Sequence, residues 1–224
     1  MKKILSFVVL AVLCILTVRA QERAALWKSF LTSADKSEWK GIRFSYDHAN
    51  MRYSGGNDIV RLGYNGFSVG YVQSFLLRHK LPLFLETGGG VNFLRRSYDG
   101  SEDVIVNKYS TNIFALSIPV NVVYKVDVCD KVTVKPYTGL YLRLNLTAKQ
   151  KYEGGVGGYA TEDDINLFDG DNAESWKRVQ LGWRIGASAE YGCYSLGLGY
   201  AVDFNKIAYE SRFGTLSLTL GMNF

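Results

Sequence analysis

Apolar and polar residues alternate along much of the chain from residue 40 onward. Successive side chains of a β-strand point to opposite faces, so strict alternation predicts a strand with one apolar and one polar face. The segments 181–191 and 194–203 both follow this rule. The carboxy-terminal segment shows it most clearly, because small or polar residues separate its apolar set, which is Leu216, Leu218, Leu220, Met222 and Phe224.

Five further segments bring the number of predicted strands to eight. They lie near 42–46, 66–75, 83–93, 116–126 and 137–147. Phe84, Leu94 and Val123 are apolar exceptions on the otherwise small or polar faces of these strands. An even number of alternating segments of about ten residues is typical of a transmembrane β-barrel.

The predicted connections alternate between long and short. The long ones lie near 48–64, 95–112, 149–177 and 203–213, and the short ones are 77–82, 127–131 and Gly192-Cys193. Outer-membrane barrels have short periplasmic turns and long external loops. We therefore predict an all-β fold, an eight-stranded antiparallel up-and-down transmembrane β-barrel over 40–224. The alternative is a secreted, soluble lipocalin-like binder, whose strands would turn their apolar faces inward.

The first 20 residues are predicted to be an export signal. Lys2 and Lys3 precede an apolar run from Ile4 to Val18, and Ala20 is a small residue before Gln21. This order is typical of a signal peptide cleaved after Ala20. Residues 21–39 would then form an N-terminal periplasmic segment, in which 23–36 favours one short helix.

Composition excludes several classes of protein. The chain has 224 residues with 23 glycines and only 3 prolines, which argues against a disordered or collagen-like chain. The formal net charge is +5, but the signal carries three of the 26 basic residues, so the mature chain has 23 against 21 acidic residues, or +2. A charge this small, without basic clusters, predicts no nucleic-acid partner.

The polar faces of the predicted strands carry charges that would point into the lumen. An eight-stranded barrel has a lumen just wide enough for side chains to fill, and isolated buried charges are costly. We therefore expect a structural network of ion pairs, with a narrow pore for small solutes or ions as the alternative. The residues are Arg43, Asp47, Glu86, Lys125, Lys135, Arg143, Arg184, Glu190 and Asp203.

Catalysis is not predicted, although some barrels of this kind modify lipids. His48 and His79 are the only histidines, and Ser45 and Ser54 lie near the first of them. No spacing selects a nucleophile and base, because a triad is recognised by its geometry. A lipid-modifying enzyme stays as an alternative, and no cofactor is expected.

The third long connection, 149–177, is predicted to be the most distinctive external feature. It carries six carboxylates within 13 positions, followed by Trp176. Carboxylate oxygens suit Ca²⁺, and Asp169, Asp171 and Glu174 are weak candidate ligands. Their spacing does not match an EF-hand, and a charge run is usually a solvated face, so we predict no metal site. The same loop could contact a partner or ligand on the cell surface.

Two cysteines belong to the mature chain. Cys129 and Cys193 fall in short connections at the same predicted rim of the barrel. The periplasm is oxidising, so a disulfide between them is one expectation and two separate thiols the other.

Several segments resemble a known family. The strands TLSLTLGMNF, LSIPVNVVYKV, KPYTGLYLRL and LGWRIGASAEYG resemble the porin-family outer-membrane β-barrel domain of Bacteroidetes-type bacteria and, more distantly, the OmpA and OmpX barrels. The resemblance covers about 40–224 and implies a location in the cell outer membrane, in contact with its lipid. It also implies that the terminal Phe224 is part of the signal read by the barrel-insertion machinery. It carries no catalytic motif, so we predict a structural or surface-interaction role.

Overall fold

The computed structural model describes residues 37–55, 58–78, 81–100, 105–129, 131–156, 159–169, 175–208 and 210–224. Ten β-strands account for most of these residues. No helix in these ranges is both long enough and apolar enough to cross a membrane. The strands are β1 (Lys40–Gly55), β2 (Asp58–Arg78), β3 (Leu83–Asp99), β4 (Ile105–Tyr124), β5 (Val126–Cys129), β6 (Val132–Val156), β7 (Tyr159–Asn166), β8 (Val179–Tyr191), β9 (Tyr194–Asp203) and β10 (Ser211–Asn223).

Eight of these strands close into an antiparallel barrel. Neighbours along the chain pair in the order β1, β2, β3, β4, β6, β8, β9 and β10. The ring closes because β1 pairs with β10, from Gly41 opposite Asn223 to Tyr53 opposite Ser211. Closure leaves the ring without a free edge, which satisfies its backbone hydrogen bonds internally. The predicted fold class is therefore confirmed.

The outward face of the ring is a continuous apolar belt. On β10, Leu216, Leu218, Leu220 and Met222 are each 45% exposed or more. A soluble monomer rarely exposes apolar patches above a few hundred Å². A belt that encircles the molecule indicates that the barrel spans a lipid bilayer. Members from the other strands include Phe44, Phe67, Val91, Ile118, Leu140, Ile185 and Leu198.

Beyond the belt, at what we call the loop end, the alternation continues with its faces exchanged. Ala49 and Met51 of β1 point inward and are buried. Arg52, the next residue, points outward and is exposed. The outward face meets water there, so polar residues lie outside and apolar residues lie inside. Two predicted long connections, 48–64 and 95–112, are therefore wrong in extent, because both are mostly strand.

Two short strands lie outside the ring. β5 continues the wall of β4 after Lys125 and pairs with the start of β6. β7 pairs only with β6, and the two form a hairpin at the loop end. Much of the connection predicted over 149–177 is thus ordered sheet. The opposite end, which we call the terminal end, carries short turns such as the one between β8 and β9, where Gly192 takes a φ of 59° that a tight hairpin requires.

Candidate functional site

A polar cavity of about 170 Å³ occupies the middle of the barrel lumen. Seven of the nine charged residues expected to face inward line it, and the other two, Lys125 and Asp203, are buried beside it. The strands place them there because each lies on the polar face of its strand. The seven are Arg43, Asp47, Glu86, Lys135, Arg143, Arg184 and Glu190.

Asp203 is the most buried of these charges. Its carboxylate accepts a hydrogen bond from the Tyr141 hydroxyl and lies 2.6 Å from Nη2 of Arg143. The Arg143 guanidinium carbon also lies 5.3 Å from the centre of the Phe213 ring. A buried carboxylate is tolerated only when it is paired and hydrogen-bonded. These contacts meet that requirement for Asp203.

Glu86, towards the terminal end, accepts two hydrogen bonds and lies beside a guanidinium group. Nε1 of Trp39 donates to Oε2 over 3.0 Å, and Nδ2 of Asn121 donates to Oε1 over 3.2 Å. Nη2 of Arg43 lies 4.0 Å from Oε2 and donates to Oδ1 of Asn223 over 2.7 Å. Glu86 thus joins β3 to β4, to β1 and to the residue before β1.

Four further lumen charges have partners of their own. Lys135 pairs with Glu190, and its Nζ lies 3.8 Å from the centre of the Trp39 ring. Oγ of Ser217 donates to Asp47 over 2.6 Å. Arg184 forms no salt bridge with the described residues, but its Nη2 donates to the Tyr137 hydroxyl over 3.3 Å. These contacts tie the inward faces of the strands together.

An apolar cluster packs at the terminal end of the cavity, and we call it the terminal plug. It consists of Trp39, Phe84 and Val123, all buried, with the Trp39 and Phe84 ring centres 4.7 Å apart. The backbone of Trp39 is held by Ser74, whose amide donates to the Trp39 carbonyl over 2.9 Å. The apolar exceptions Phe84 and Val123 in the alternation are therefore parts of a plug.

Trp39 itself was assigned to the segment that precedes the barrel. Instead, its side chain enters the barrel and packs on the lumen wall. The only sequence signal for this placement was the pair of inward apolar residues that needed an apolar partner. Residues 21–36 lie outside the described residues.

A larger cluster packs at the opposite end, and we call it the loop-end plug. The Tyr64 and Phe213 rings pack edge to face with centres 5.4 Å apart. Ile207, from the connection between β9 and β10, is fully buried in this cluster. The cluster also contains the exception Leu94, and its members are Ala49, Met51, Tyr64, Leu94, Ile113, Ala148, Ile207 and Phe213.

Beyond the loop-end plug, the extended strands surround a second cavity, of about 420 Å³, which we call the cup. Its aromatic residues are Tyr64, Tyr98, Tyr109 and Trp176. Arg96, Thr111 and Gln150 supply polar groups, and Met51 and Leu62 complete the lining. Mixed aromatic and polar lining in a concave site is typical of ligand pockets.

Two tyrosines of the cup, Tyr98 and Tyr109, belong to a ladder of three that continues to Tyr152. Tyr98 of β3 lies opposite Tyr109 of β4, and Tyr109 lies opposite Tyr152 of β6 in the backbone register. The ring centres are 6.3 and 4.8 Å apart. Tyr98 is 51% exposed, so part of the ladder is accessible. Sequence reasoning missed it because the strands were predicted to end before these residues.

The hairpin of β6 and β7 carries three of the six carboxylates that cluster in 149–177, namely Glu162, Asp163 and Asp164. Nζ of Lys151 lies 2.7 Å from Glu162 and 3.5 Å from Asp164, and these bonds raise the pKa of Lys151. Asp169 accepts a hydrogen bond of 2.8 Å from Nδ2 of Asn166. Among the described residues, no cluster of three His, Cys, Asp or Glu side chains could hold a metal. Asp171 and Glu174 lie outside those residues.

The candidate catalytic residues do not converge. His48 faces outward, where its Nδ1 lies 2.7 Å from Oδ1 of Asn65. Ser45 faces the lumen, and its hydroxyl lies 2.7 Å from that of Thr219. Since these residues are on opposite faces of β1, they cannot act as a nucleophile and base. His79 and the Ser54 side chain lie outside the described part of the chain.

Cys129 and Cys193 are free, exposed thiols. Cys129 lies opposite Val132 of β6, and Val132 lies opposite Tyr191 of β8, just before the turn that holds Cys193. Two strand spacings amount to about 10 Å. A disulfide needs Cα atoms within about 7 Å, so this arrangement matches the expectation of two separate thiols rather than that of a disulfide.

Phe224 ends the chain on the outward face and is 68% exposed. Its amide donates to the Lys40 carbonyl over 2.9 Å, so the terminus continues the ladder between β1 and β10. The side chain is therefore displayed at the terminal end of the belt. Its role as an insertion signal stays a prediction.

No protein-family model and no curated protein matches the chain. Solved structures of other barrels are similar in fold. Ail, the attachment invasion locus protein of Yersinia pestis, solved with the heparin analogue sucrose octasulfate, has a TM-score of 0.47 and 14% identity, over 84% of this chain and 99% of that chain. Neisserial surface protein A has a TM-score of 0.43 and 18% identity, over 86% and 99%. The translocator domain of the autotransporter NalP from Neisseria meningitidis has a TM-score of 0.36 and 11% identity, over 91% of this chain and 94% of that chain. At these identities the likeness concerns the backbone alone.

Proposed function

We propose that the chain is an integral outer-membrane protein with a closed lumen, and that it acts through its loop end at the cell surface. The observation that carries this proposal is the pair of plugs on either side of the central cavity. In this proposal the two plugs close the lumen at both ends, so the barrel does not act as an open channel. Its strands nevertheless extend well beyond the belt and surround the cup.

The proposed orientation follows from export. The signal peptide, cleaved after Ala20, would deliver the chain to the periplasm. Both termini would stay there, with Phe224 presented to the insertion machinery. The terminal plug then faces the periplasm, and the cup faces outward.

The pore alternative is less well supported. An ion would have to displace Trp39 and Phe84 at one end and Tyr64 and Phe213 at the other. Several charges between the plugs are paired with each other, as Arg143 is with Asp203 and Lys135 with Glu190. Such pairs act as cross-links between strands.

The lipid-modifying alternative has no geometric support. His48 at the edge of the belt has Asn65 as its partner, and Ser45 faces the lumen. No described serine takes the position that a nucleophile would need beside His48. We therefore propose a non-enzymatic role.

For the cup we propose a carbohydrate of the cell exterior as ligand. The flat faces of Tyr98, Tyr109 and Trp176 suit the apolar faces of sugar rings, and Arg96 and Gln150 can hydrogen-bond to hydroxyl or acidic groups. Gln150 and Trp176 belong to 149–177, which was expected to be the interacting loop.

The test is binding of cells displaying the protein to an array of immobilised glycans. The parent should bind at least one class of glycan, and the double variant Tyr98→Ala, Tyr109→Ala should lose that binding. The control Tyr194→Ala, at an exposed position of the terminal end, should bind like the parent. Equal binding by parent and cup variant would contradict the proposal.

A further inference from the structure

Three arginines stand side by side on the outward face at the loop end. Arg52 of β1 lies opposite Arg212 of β10 on one side and opposite Arg61 of β2 on the other. All three side chains are exposed. They alternate in phase with the lipid-facing residues of their strands, so they point away from the lumen. We call them the arginine row.

The arrangement is unfavourable without an anionic partner. Directly opposed residues of neighbouring antiparallel strands have Cβ atoms about 5 Å apart, and like charges there repel. Three lysines of the loop end do have acidic partners, since Lys108 pairs with Asp99, Lys151 with Glu162 and Lys206 with Glu210. No described carboxylate lies within salt-bridge distance of the arginine row.

The row lies just outside the apolar belt. Arg212 is four residues from Leu216, which is 46% exposed and part of the belt. Four residues span about 13 Å along a strand, or about 10 Å along the membrane normal at a tilt of about 40°. The polar layer of a leaflet is about 5 to 8 Å thick. A long arginine side chain can turn back towards that layer.

We propose that the arginine row binds phosphate groups of the lipid headgroups that surround the barrel in the outer leaflet. Guanidinium groups bind phosphate oxygens in a bidentate manner, and adjacent guanidinium groups suit a headgroup with more than one phosphate. The row is continuous with the lipid-contacting belt, which favours lipid over a soluble anion. This inference rests on the proposed orientation, in which the loop end lies outside the cell, and does not depend on the ligand of the cup.

The experiment compares the parent with the triple variant R52Q, R61Q, R212Q, both as the full mature chain in non-ionic detergent. A glycolipid with two phosphates is titrated in, and the thermal unfolding midpoint is followed to obtain an apparent affinity. The matched control is K108Q, K151Q, K206Q, which also removes three exposed positive charges, but from residues paired with acidic partners.

The row variant should bind the glycolipid on the order of a hundredfold more weakly, at about fivefold per arginine. The control should bind within a few-fold of the parent. Without lipid, the thermal unfolding midpoint of the row variant should equal or exceed that of the parent, because removing opposed like charges relieves repulsion.

Three outcomes would overturn the proposal. Equal affinities of parent and row variant would show that the row does not bind the lipid. Undiminished binding of the dephosphorylated glycolipid would exclude phosphate as the recognised group. Row-dependent stabilisation by a heparin fragment or by inorganic phosphate, with none by the glycolipid, would assign the row to a soluble anion.

Discussion

The indole Nε1 of Trp39 donates a hydrogen bond of 3.0 Å to Oε2 of Glu86, 47 positions further along the chain. This bond joins a residue that precedes the barrel to a lumen-facing carboxylate of β3. Glu86 also lies beside Arg43. One aromatic side chain thus belongs to the terminal plug and helps to satisfy a charge inside the lumen.

Trp39→Phe should therefore lower stability while keeping the ring contact with Phe84. A hydrogen bond to a charged group contributes about 1.5 to 3 kcal/mol, so we expect a loss of unfolding free energy in that range. Trp183→Phe is the control, since its Nε1 bonds the neutral hydroxyl of Thr138 on the outer face. Urea unfolding in lipid vesicles measures both. A larger loss for Trp183→Phe would refute the structural role of Trp39.

Asp203→Asn should be far more damaging than loss of an exposed pair. It leaves the buried Arg143 guanidinium without its counter-charge, which costs about 3 to 5 kcal/mol. Glu162→Gln removes an exposed partner of Lys151 and should cost less than about 1 kcal/mol. The same unfolding measurement applies. Similar losses for the two variants would argue against a desolvated lumen.

The outward face is apolar within the belt and polar beyond it. A new charge on the outward face should therefore change stability differently at a belt position of β10 and at a position of β1 beyond the belt. Leu220→Arg places a charge in the middle of the lipid-facing set and should cost about 2 to 4 kcal/mol. Asn50→Arg lies beyond the belt on the outward face and should change stability little. Folding yield into vesicles and urea unfolding test this pair. Equal costs would place the membrane boundary elsewhere.

Both cysteines of the mature chain should react with a maleimide without prior reduction, because Cys129 and Cys193 are exposed and free. Mass spectrometry of the labelled, folded protein should show two adducts. An unlabelled chain 2 Da lighter than its reduced form would instead show that the rim moves to form the disulfide.

The strands that stay within the lipid were largely predictable from the sequence. Alternation over 181–191 and 194–203 matches β8 and β9 to within two residues. In these strands the outward face meets lipid along its whole length, so a single pattern of apolar outward and polar inward residues describes the entire strand.

The loop end was predicted less well, for a physical reason. At residue 49 the apolar set of β1 moves from the outer to the inner face, because the surroundings change from lipid to water. A prediction that requires apolar residues on the outward face therefore ends the strand at residue 49. The backbone of the strand nevertheless continues to Gly55. The loop-end plug and the tyrosine ladder were missed because they depend on that continuation and on register.

The candidate lumen residues were predictable as a set but not as pairs. Alternation alone places Arg143 and Asp203 on inward faces. Their contact depends on the stagger between β6, β8 and β9, which hydrophobicity does not encode.

Conductance in a planar bilayer tests the closed lumen most directly. The parent should show no unit steps, and Trp39→Ala alone should stay closed because the loop-end plug persists. Trp39→Ala combined with Phe213→Ala removes an aromatic side chain from each plug and should produce steps or increased current noise. Steady unit steps from the parent protein would contradict the account.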